Sequence, residues 1–200
     1  YYFQPQEQEA ASQMFMAEKY FEKDSLDKAL NGDATYPGFL QIIDDYGMTK
    51  SANLAKYYVG VCYLQKGEYE SAIEYLSDFS CDAELLAPAA KAAIGDAYMQ
   101  LGNQEKALSN YLSAAGMKEN NLTTPQYLLK AAQTFELLNK NSSAIELYEQ
   151  IRNDYPTSAE FRDAEKFLAR AQAKAGKLFF LKYIFYTCRF SDRYFFYHYN

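Results

Sequence analysis

The amino-acid sequence predicts an all-α solenoid of about four helical hairpins closed by a C-terminal capping helix, and three observations carry that prediction. The first is a hairpin unit, Leu54 to Phe79, in which a helix-breaking Gly67 separates two amphipathic segments. The second is recurrence of that unit at a nearly fixed period. The third is the placing of helix-start signals, Pro5, Ser25, Ser51, Pro88 and Pro125, where successive helices of such an array would begin.

Within the reference hairpin, Gly60 is the small residue that lets the second helix approach, and Ala72 is expected to face it. Tyr63 fills the space one turn after Gly60, and Gly67 supplies the turn. Aligned on Gly60, the next copy reads Gly95, Tyr98, Gly102, Ala107 and Tyr111. The copy after it reads Ala132, Phe135, Asn139, Ala144 and Tyr148, which makes the two periods 35 and 37.

Taken in order, Pro5 suits a first helical position, and Ala10, Met14, Ala17 and Phe21 form an apolar stripe on the first helix. Ala17, Tyr20 and Ala29 reproduce the small, aromatic and small offsets, with Ser25 as N-cap of the second helix. The breakers Asn31-Gly32-Asp33 and Pro37-Gly38 then interrupt the pattern, which resumes from Phe39 to Tyr46 and stops at Gly47. Ala17 lies 43 residues before Gly60, so about eight residues are inserted here. Such insertions map to loops on one face of a solenoid, often the binding face, and a harmless bulge is the alternative. Ser51 is expected to cap the second hairpin, Ser143 with Glu146 to form a capping box in the fourth, and Thr157 with Glu160 another. The organisation read from these signals is a lead-in at 1–9, hairpins at 10–50, 51–87, 88–124 and 125–157, a capping helix at 158–176, and a tail at 177–200.

The period and offsets resemble the tetratricopeptide repeat, whose period is about 34. Pro156 falls where that repeat's closing proline belongs; the other copies lack it, and the initial tryptophan is missing throughout. The resemblance covers roughly Ala10 to Ala175. It implies a right-handed solenoid, a non-catalytic protein-binding role, and a concave groove lined by the first helices. At the groove positions stand Met14, Glu18 and Phe21, then Tyr57, Val61 and Leu64, then Ala92, Asp96 and Met99, and finally Leu129, Gln133 and Glu136. Tyr57 and Leu64 have the alternative of packing on a neighbouring repeat. This lining is apolar with acidic points and lacks the lysine and asparagine set by which chaperone-binding members clamp a C-terminal carboxylate. The expected partner is therefore a protein or peptide with exposed apolar residues and some Lys or Arg. The alternative is a homo-oligomer that self-associates through Phe39, the insert and the acidic groove.

Charge agrees with a basic partner. The chain holds 26 acidic and 20 basic residues, and residues 1–176 alone hold 25 against 16, a net charge of −9. Nucleic acid and anionic lipid both select a basic face, so neither is expected as a ligand. Three cysteines, Cys62, Cys81 and Cys188, have no CxxC or metal-ligand spacing, and Cys62 reads as a small buried hydrophobe.

Signatures of catalysis are thin, and no cofactor or metal is expected. Ser25 and Lys28 have SxxK spacing without the companion motifs of that acyl-transfer class. Asp44 and Asp45 are helix neighbours that point in different directions. The sole histidine is His198, which leaves the repeats without an imidazole base. Asn121-Leu122-Thr123 and Asn141-Ser142-Ser143 match the glycosylation sequon and are equally explained as turn and cap residues.

The two ends differ from the array. Tyr1-Tyr2-Phe3 followed by Gln4-Pro5-Gln6 has the character of a segment just outside a membrane span, with an aromatic N-terminal staple as the alternative. It is similar to the junction in bacterial envelope proteins like the ancillary subunit of the protein translocon. That likeness implies a membrane-anchored envelope protein whose N-terminal span precedes these residues, with the side of the membrane left open. The tail 177–200 holds 11 of the 34 aromatics and too many charges for a membrane span. Its residues are those of AT-rich codons and read as a non-native extension; an aggregation-prone or membrane-surface strand pair is the alternative.

Overall fold

The computed structural model describes residues 3–176, so the reading of the 177–200 tail and the aromatic pair Tyr1-Tyr2 fall outside the described residues. The described chain is α-helical: α1 (Phe3–Glu22), α2 (Leu26–Asn31), α3 (Phe39–Tyr46), α4 (Lys50–Lys66), α5 (Tyr69–Asp78), α6 (Leu86–Gln100), α7 (Gln104–Met117), α8 (Thr124–Leu137), α9 (Asn141–Asp154) and α10 (161–176). It forms two compact units that divide after Tyr127, within α8. In the first unit α1, α4 and α6 lie side by side as one layer. The second helices α2 with α3, α5 and α7 pack on them, and α3 and α5 also pack on the first helix of the following hairpin. This is the all-α helical repeat that the spacing predicts.

One turn builds every hairpin. Asp24, Gly67, Gly102 and Asn139 stand seven residues after the small residue of their copy, and all four have left-handed backbone, with φ of 57°, 81°, 74° and 58°. In each copy the following N–H donates to the carbonyl of the repeat aromatic: Ser25 to Tyr20, Glu68 to Tyr63, Asn103 to Tyr98 and Lys140 to Phe135, all at 2.9 Å. The left-handed residue's own N–H returns to Phe21, Leu64, Met99 or Glu136. These bonds satisfy carbonyls that a helix end would otherwise leave without partners. They also set the direction of the second helix, whose first backbone bonds run from Ala29, Ala72, Ala107 and Ala144 to the residue after the turn.

Close approach of the paired helices depends on the small residues, with one correction to its partner. A Cβ on Gly60 would stand 2.5 Å from Leu76 Cγ, and one on Gly95 would stand 2.6 Å from Tyr111 Cε1. The residue facing Gly60 is therefore Leu76, sixteen positions on, and Ala72 is buried one turn nearer the bend. Side chains of Leu76 and Tyr111 lie across the first helix where only hydrogen is tolerated, so alanine there would overpack the seam.

The insertion is built as tightly as the turns. It splits the second helix of hairpin one into α2 and α3, joined by a loop closed by a bridge between Gly32 and Pro37. Gly32 has φ 78°, and Gly38 lies directly against the backbone of Leu30 and Gly32. Asp33 accepts from the N–H groups of Thr35 and Tyr36 at 2.8 and 2.9 Å and from the Tyr20 hydroxyl, which ties the loop to α1. On its far side Phe39 is wholly buried, its ring parallel to that of Tyr58 at a centroid distance of 4.8 Å. The expectation that Phe39 offers a self-association surface is thereby overturned.

Several capping assignments also change. α1 begins at Phe3, so the lead-in is already helical from there and Pro5 sits in the first turn, where its missing N–H costs nothing. Ser25 occupies the N-cap of α2 without a side-chain capping bond. Thr49, not Ser51, caps α4, accepting from Ala52 N at 3.0 Å. Ser51 is the second residue of that helix and binds Glu7 of α1: the Glu7 carboxylate accepts from Lys50 N, Ser51 N and Ser51 Oγ at 2.7, 3.0 and 2.6 Å. A negative charge at the positive end of a helix thus locks α1 to α4. Burial alone would push the Glu7 carboxyl up, but these donors hold it below its usual range. α9 starts at Asn141, which leaves Ser143 inside it and removes the capping box with Glu146. α10 starts at 161 with Glu160 in the preceding position, so Thr157 is not its N-cap.

In the second unit Ala164, Leu168 and Ala171 of α10 are buried, the apolar stripe expected of a capping helix. Glu136 is the polar centre of this unit. Its side chain is 5 % exposed and accepts from Tyr148 Oη at 2.8 Å, Arg170 Nη2 at 2.7 Å and Lys174 Nζ at 3.1 Å. Burial opposes ionisation, yet the Arg170 guanidinium, Tyr148 hydroxyl and Lys174 ammonium together hold the Glu136 carboxyl below its usual range.

Two measurements check these anchors. Gly102→Ala, which meets no atom within 4 Å, should lose about 1 kcal/mol in urea unfolding from φ alone, and Gly102→Asn should lose less, since asparagine tolerates this backbone. Equal losses would show that φ does not limit the turn. Glu136→Gln should lose about 1 kcal/mol at neutral pH because it removes the charge from the bonds to Arg170 and Lys174, whose own side chains stay about half exposed to water. Since its folded pKa is lowered, the Glu136 contribution is complete above the ordinary carboxyl range and fades as pH falls from about 4.5 downward. The stability difference between wild type and Glu136→Gln should shrink over that window.

Candidate partner-binding groove

The layer formed by α1, α4 and α6 presents the predicted groove residues of the first three hairpins on one body. Glu18, Phe21, Tyr57, Val61, Leu64, Asp96 and Met99 are all half-buried, the state of side chains set in a packed wall with one face open. Met14 and Ala92 are not: both are buried in the core, although Tyr57 and Leu129 at the equivalent position of their copies are half-buried. In the second unit Leu129 and Gln133 are half-buried on α8. Glu136, expected as an acidic point for a ligand, is instead consumed by Arg170, Lys174 and Tyr148.

An aromatic cluster unites the first two hairpins. The Tyr58 ring meets Phe21 edge-on at 5.2 Å and Tyr57 edge-on at 5.9 Å, while Phe39 closes it from behind. Tyr57 also meets Phe79 at 5.5 Å. Tyr57 thus takes the packing alternative in part: it lies against the cluster of Leu76, Phe79, Ala90 and Ile94, the last two in the next hairpin, and stays half-buried. Fixing rings by such contacts gives a large apolar surface that loses little freedom when a partner covers it. Tyr58 was missed in the sequence because it lies one residue from the groove register; its neighbour Tyr57 is the only signal that could have found it.

The electrostatics of this face are acidic at one end and satisfied at the other. Burial and the nearby Glu22 hold the Glu18 carboxyl above its usual range, against the opposing effects of Lys19 and the Tyr58 hydroxyl. Lys19 is committed to Glu22 at 2.7 Å. Asp96 accepts from the Tyr111 hydroxyl at 2.7 Å, which makes it a strut between α6 and α7 as well as a wall residue. Burial, followed by that carboxylate, raises the Tyr111 hydroxyl pKa. A cationic side chain brought against Glu18 would restore ionisation that burial now opposes.

The remaining candidates sit elsewhere. Asp44 and Asp45 are exposed on α3, with Asp45 accepting from Gln41 at 3.4 Å. Lys28 lies over the Tyr20 ring at 5.7 Å, and Lys66 nearby is paired with Asp27 and Glu68 at 2.8 and 3.3 Å. Cys62 is wholly buried, and burial pushes its thiol up to about 12, an unreactive state. The sequon at 121–123 lies in the α7–α8 connection, where Asn120, not Asn121, organises the bend by accepting from Leu122 N and Thr123 N at 2.9 and 2.8 Å. No group of His, Cys, Asp and Glu among the described residues could hold a metal ion, and no helix among them is long and apolar enough to cross a membrane.

Comparison with known families agrees with the geometry. Residues 126–158 match a sequence model described as Tetratricopeptide repeat, and residues 55–78 and 88–121 match a second model of the same description. No curated protein matches the chain. The matched segments carry three of the four left-handed turns and the small residues Gly60, Gly95 and Ala132. Arrays of this repeat are in general non-catalytic scaffolds for protein–protein interaction. With turn, seam and layer recurring in register, the matched segments between residues 55 and 158 are tetratricopeptide repeats.

Proposed function

We propose that the chain is a non-catalytic adaptor that holds an extended or amphipathic protein segment, bearing apolar and basic residues, against the layer of α1, α4 and α6. The observation that carries this reading is the half-buried row Glu18, Phe21, Tyr57, Val61, Leu64 and Met99, where preset aromatic and aliphatic surface adjoins a carboxylate without an ion pair of its own. Apolar side chains of the partner fill the row, and a Lys or Arg meets Glu18. The net charge of −9 over residues 1–176 speeds encounter with a basic segment. The reading extends to location: the aromatic and polar opening Tyr1 to Gln6, like that of membrane-tethered envelope proteins, supports a scaffold held at the bacterial cell envelope.

A direct test uses a labelled peptide alternating Phe and Leu with Lys, titrated with the full chain and followed by fluorescence anisotropy. Glu18→Lys should weaken binding about tenfold, and wild-type affinity should fall with added salt. Leu64→Ser should weaken it as well, while both variants keep the wild-type circular dichroism spectrum. Unchanged affinity in both variants would place the binding face elsewhere. A mass that rises with concentration for wild type but not for the variants would assign the same face to self-assembly instead.

A further inference from the structure

The repeats serve as internal controls for one another at the open end of each hairpin, where the first helix begins and the second ends. Four residues before the small residue of each copy stand Gln13, Lys56, Lys91 and Leu128. In the first copy the Gln13 amide donates to the Tyr46 hydroxyl at 3.0 Å, and in the second Lys56 forms an ion pair with Asp78. One period of 35 residues later, Ser113 takes the place of Asp78, and Lys91 has no ion pair among the described residues.

Lys91 lines a pocket of about 250 Å³ whose other walls are mostly apolar: Leu76, Phe79, Ala90, Ile94 and Met117. Cys81 and Ser80 complete the lining from the α5–α6 connection. On that connection Asp82 is already neutralised by Lys118 at 2.7 Å, so it does not compete for Lys91. The wall residues are fixed: Leu76 is held by Gly60, and Phe79 by Tyr57. A mostly apolar concavity with a few polar groups, here Lys91 as its one charged residue with Ser80 and Cys81, is the usual form of a small-molecule site.

We propose that this pocket binds a medium-chain amphipathic monocarboxylic acid, with its carboxylate on the Lys91 ammonium and its chain among Leu76, Phe79, Ile94 and Met117. One ammonium matches one carboxylate. A phosphate dianion would bring a second charge into an acidic body, at a pocket whose lining holds no second cation. A neutral apolar ligand would leave Lys91 without a partner.

Isothermal titration of the full chain with sodium octanoate, and with 1-octanol as neutral control, tests the assignment. Octanoate should bind the wild type more tightly than octanol, and Lys91→Gln should weaken octanoate about tenfold or more while leaving octanol little changed. Ser113→Asp recreates the Lys56–Asp78 pair one period later without touching the pocket wall, so it should weaken octanoate comparably and leave the melting temperature intact or raised. Equal octanoate binding by all three proteins, equal binding of acid and alcohol, or no heat of binding to wild type would each overturn the proposal. A dipeptide ending in leucine that binds more tightly than octanoate would reassign the pocket to a polypeptide terminus.

Discussion

The hairpin depends on one backbone interaction, the hydrogen bond from the residue after the left-handed turn to the carbonyl of the repeat aromatic. It recurs at 2.9 Å in all four copies, from Ser25, Glu68, Asn103 and Lys140. The bond fixes where the first helix stops, and therefore which of its faces meets the second helix. Everything downstream follows from that register. Gly60 and Gly95 fall opposite Leu76 and Tyr111, and the first helices α1, α4 and α6 pack side by side as one layer. A residue with left-handed backbone is the condition for the bond, which is why glycine, asparagine and aspartate hold the position.

The parts of this plan that repeat were legible in the sequence, because a recurring offset multiplies a weak local signal. Gly67, Gly102 and Asn139 could be read as turns from spacing alone, and Ala17, Ala29 and Tyr20 placed a degenerate first copy in register. What stayed hidden was set by partners distant in sequence. Ser51 looks like a cap, but the N-terminus of α4 is closed by Thr49 and by a carboxylate 43–44 residues upstream, at Glu7. Glu136 looks like an acidic groove point, but its charge is claimed by Arg170 and Lys174, 34 and 38 residues downstream. Phe39 follows breakers and so looks exposed, until the insert folds back through Asp33 and Tyr20 and presses its ring on Tyr58. Local pattern specifies elements; only packing decides which charges and rings are left for a ligand.

The insert shows how a solenoid absorbs extra chain without loss of register. Eight additional residues cost little in loop entropy, and Gly32 and Gly38 let the loop close tightly, so that α3 packs on α1, α2 and α4. The result is more than tolerance. By returning Phe39 and Ile42 to full burial, the loop completes the wall on which Tyr58, Phe21 and Tyr57 are held. An element that looks like an interruption in sequence is part of the packing behind these rings.

Departures from the repeat carry a different kind of information from its recurrences. Positions equal in all copies answer to the hairpin, since every copy must satisfy the same backbone and the same seam. Positions that differ between structurally equivalent places are released from that demand. At the open end of the hairpins the same place holds Gln13 bonded to Tyr46, Lys56 paired with Asp78, and Lys91 beside a pocket. The fold does not require any one of these solutions, because it accepts all of them. At the place of Asp78 the next copy carries Ser113, and equivalent sites in one chain supply the comparison that a lone domain lacks.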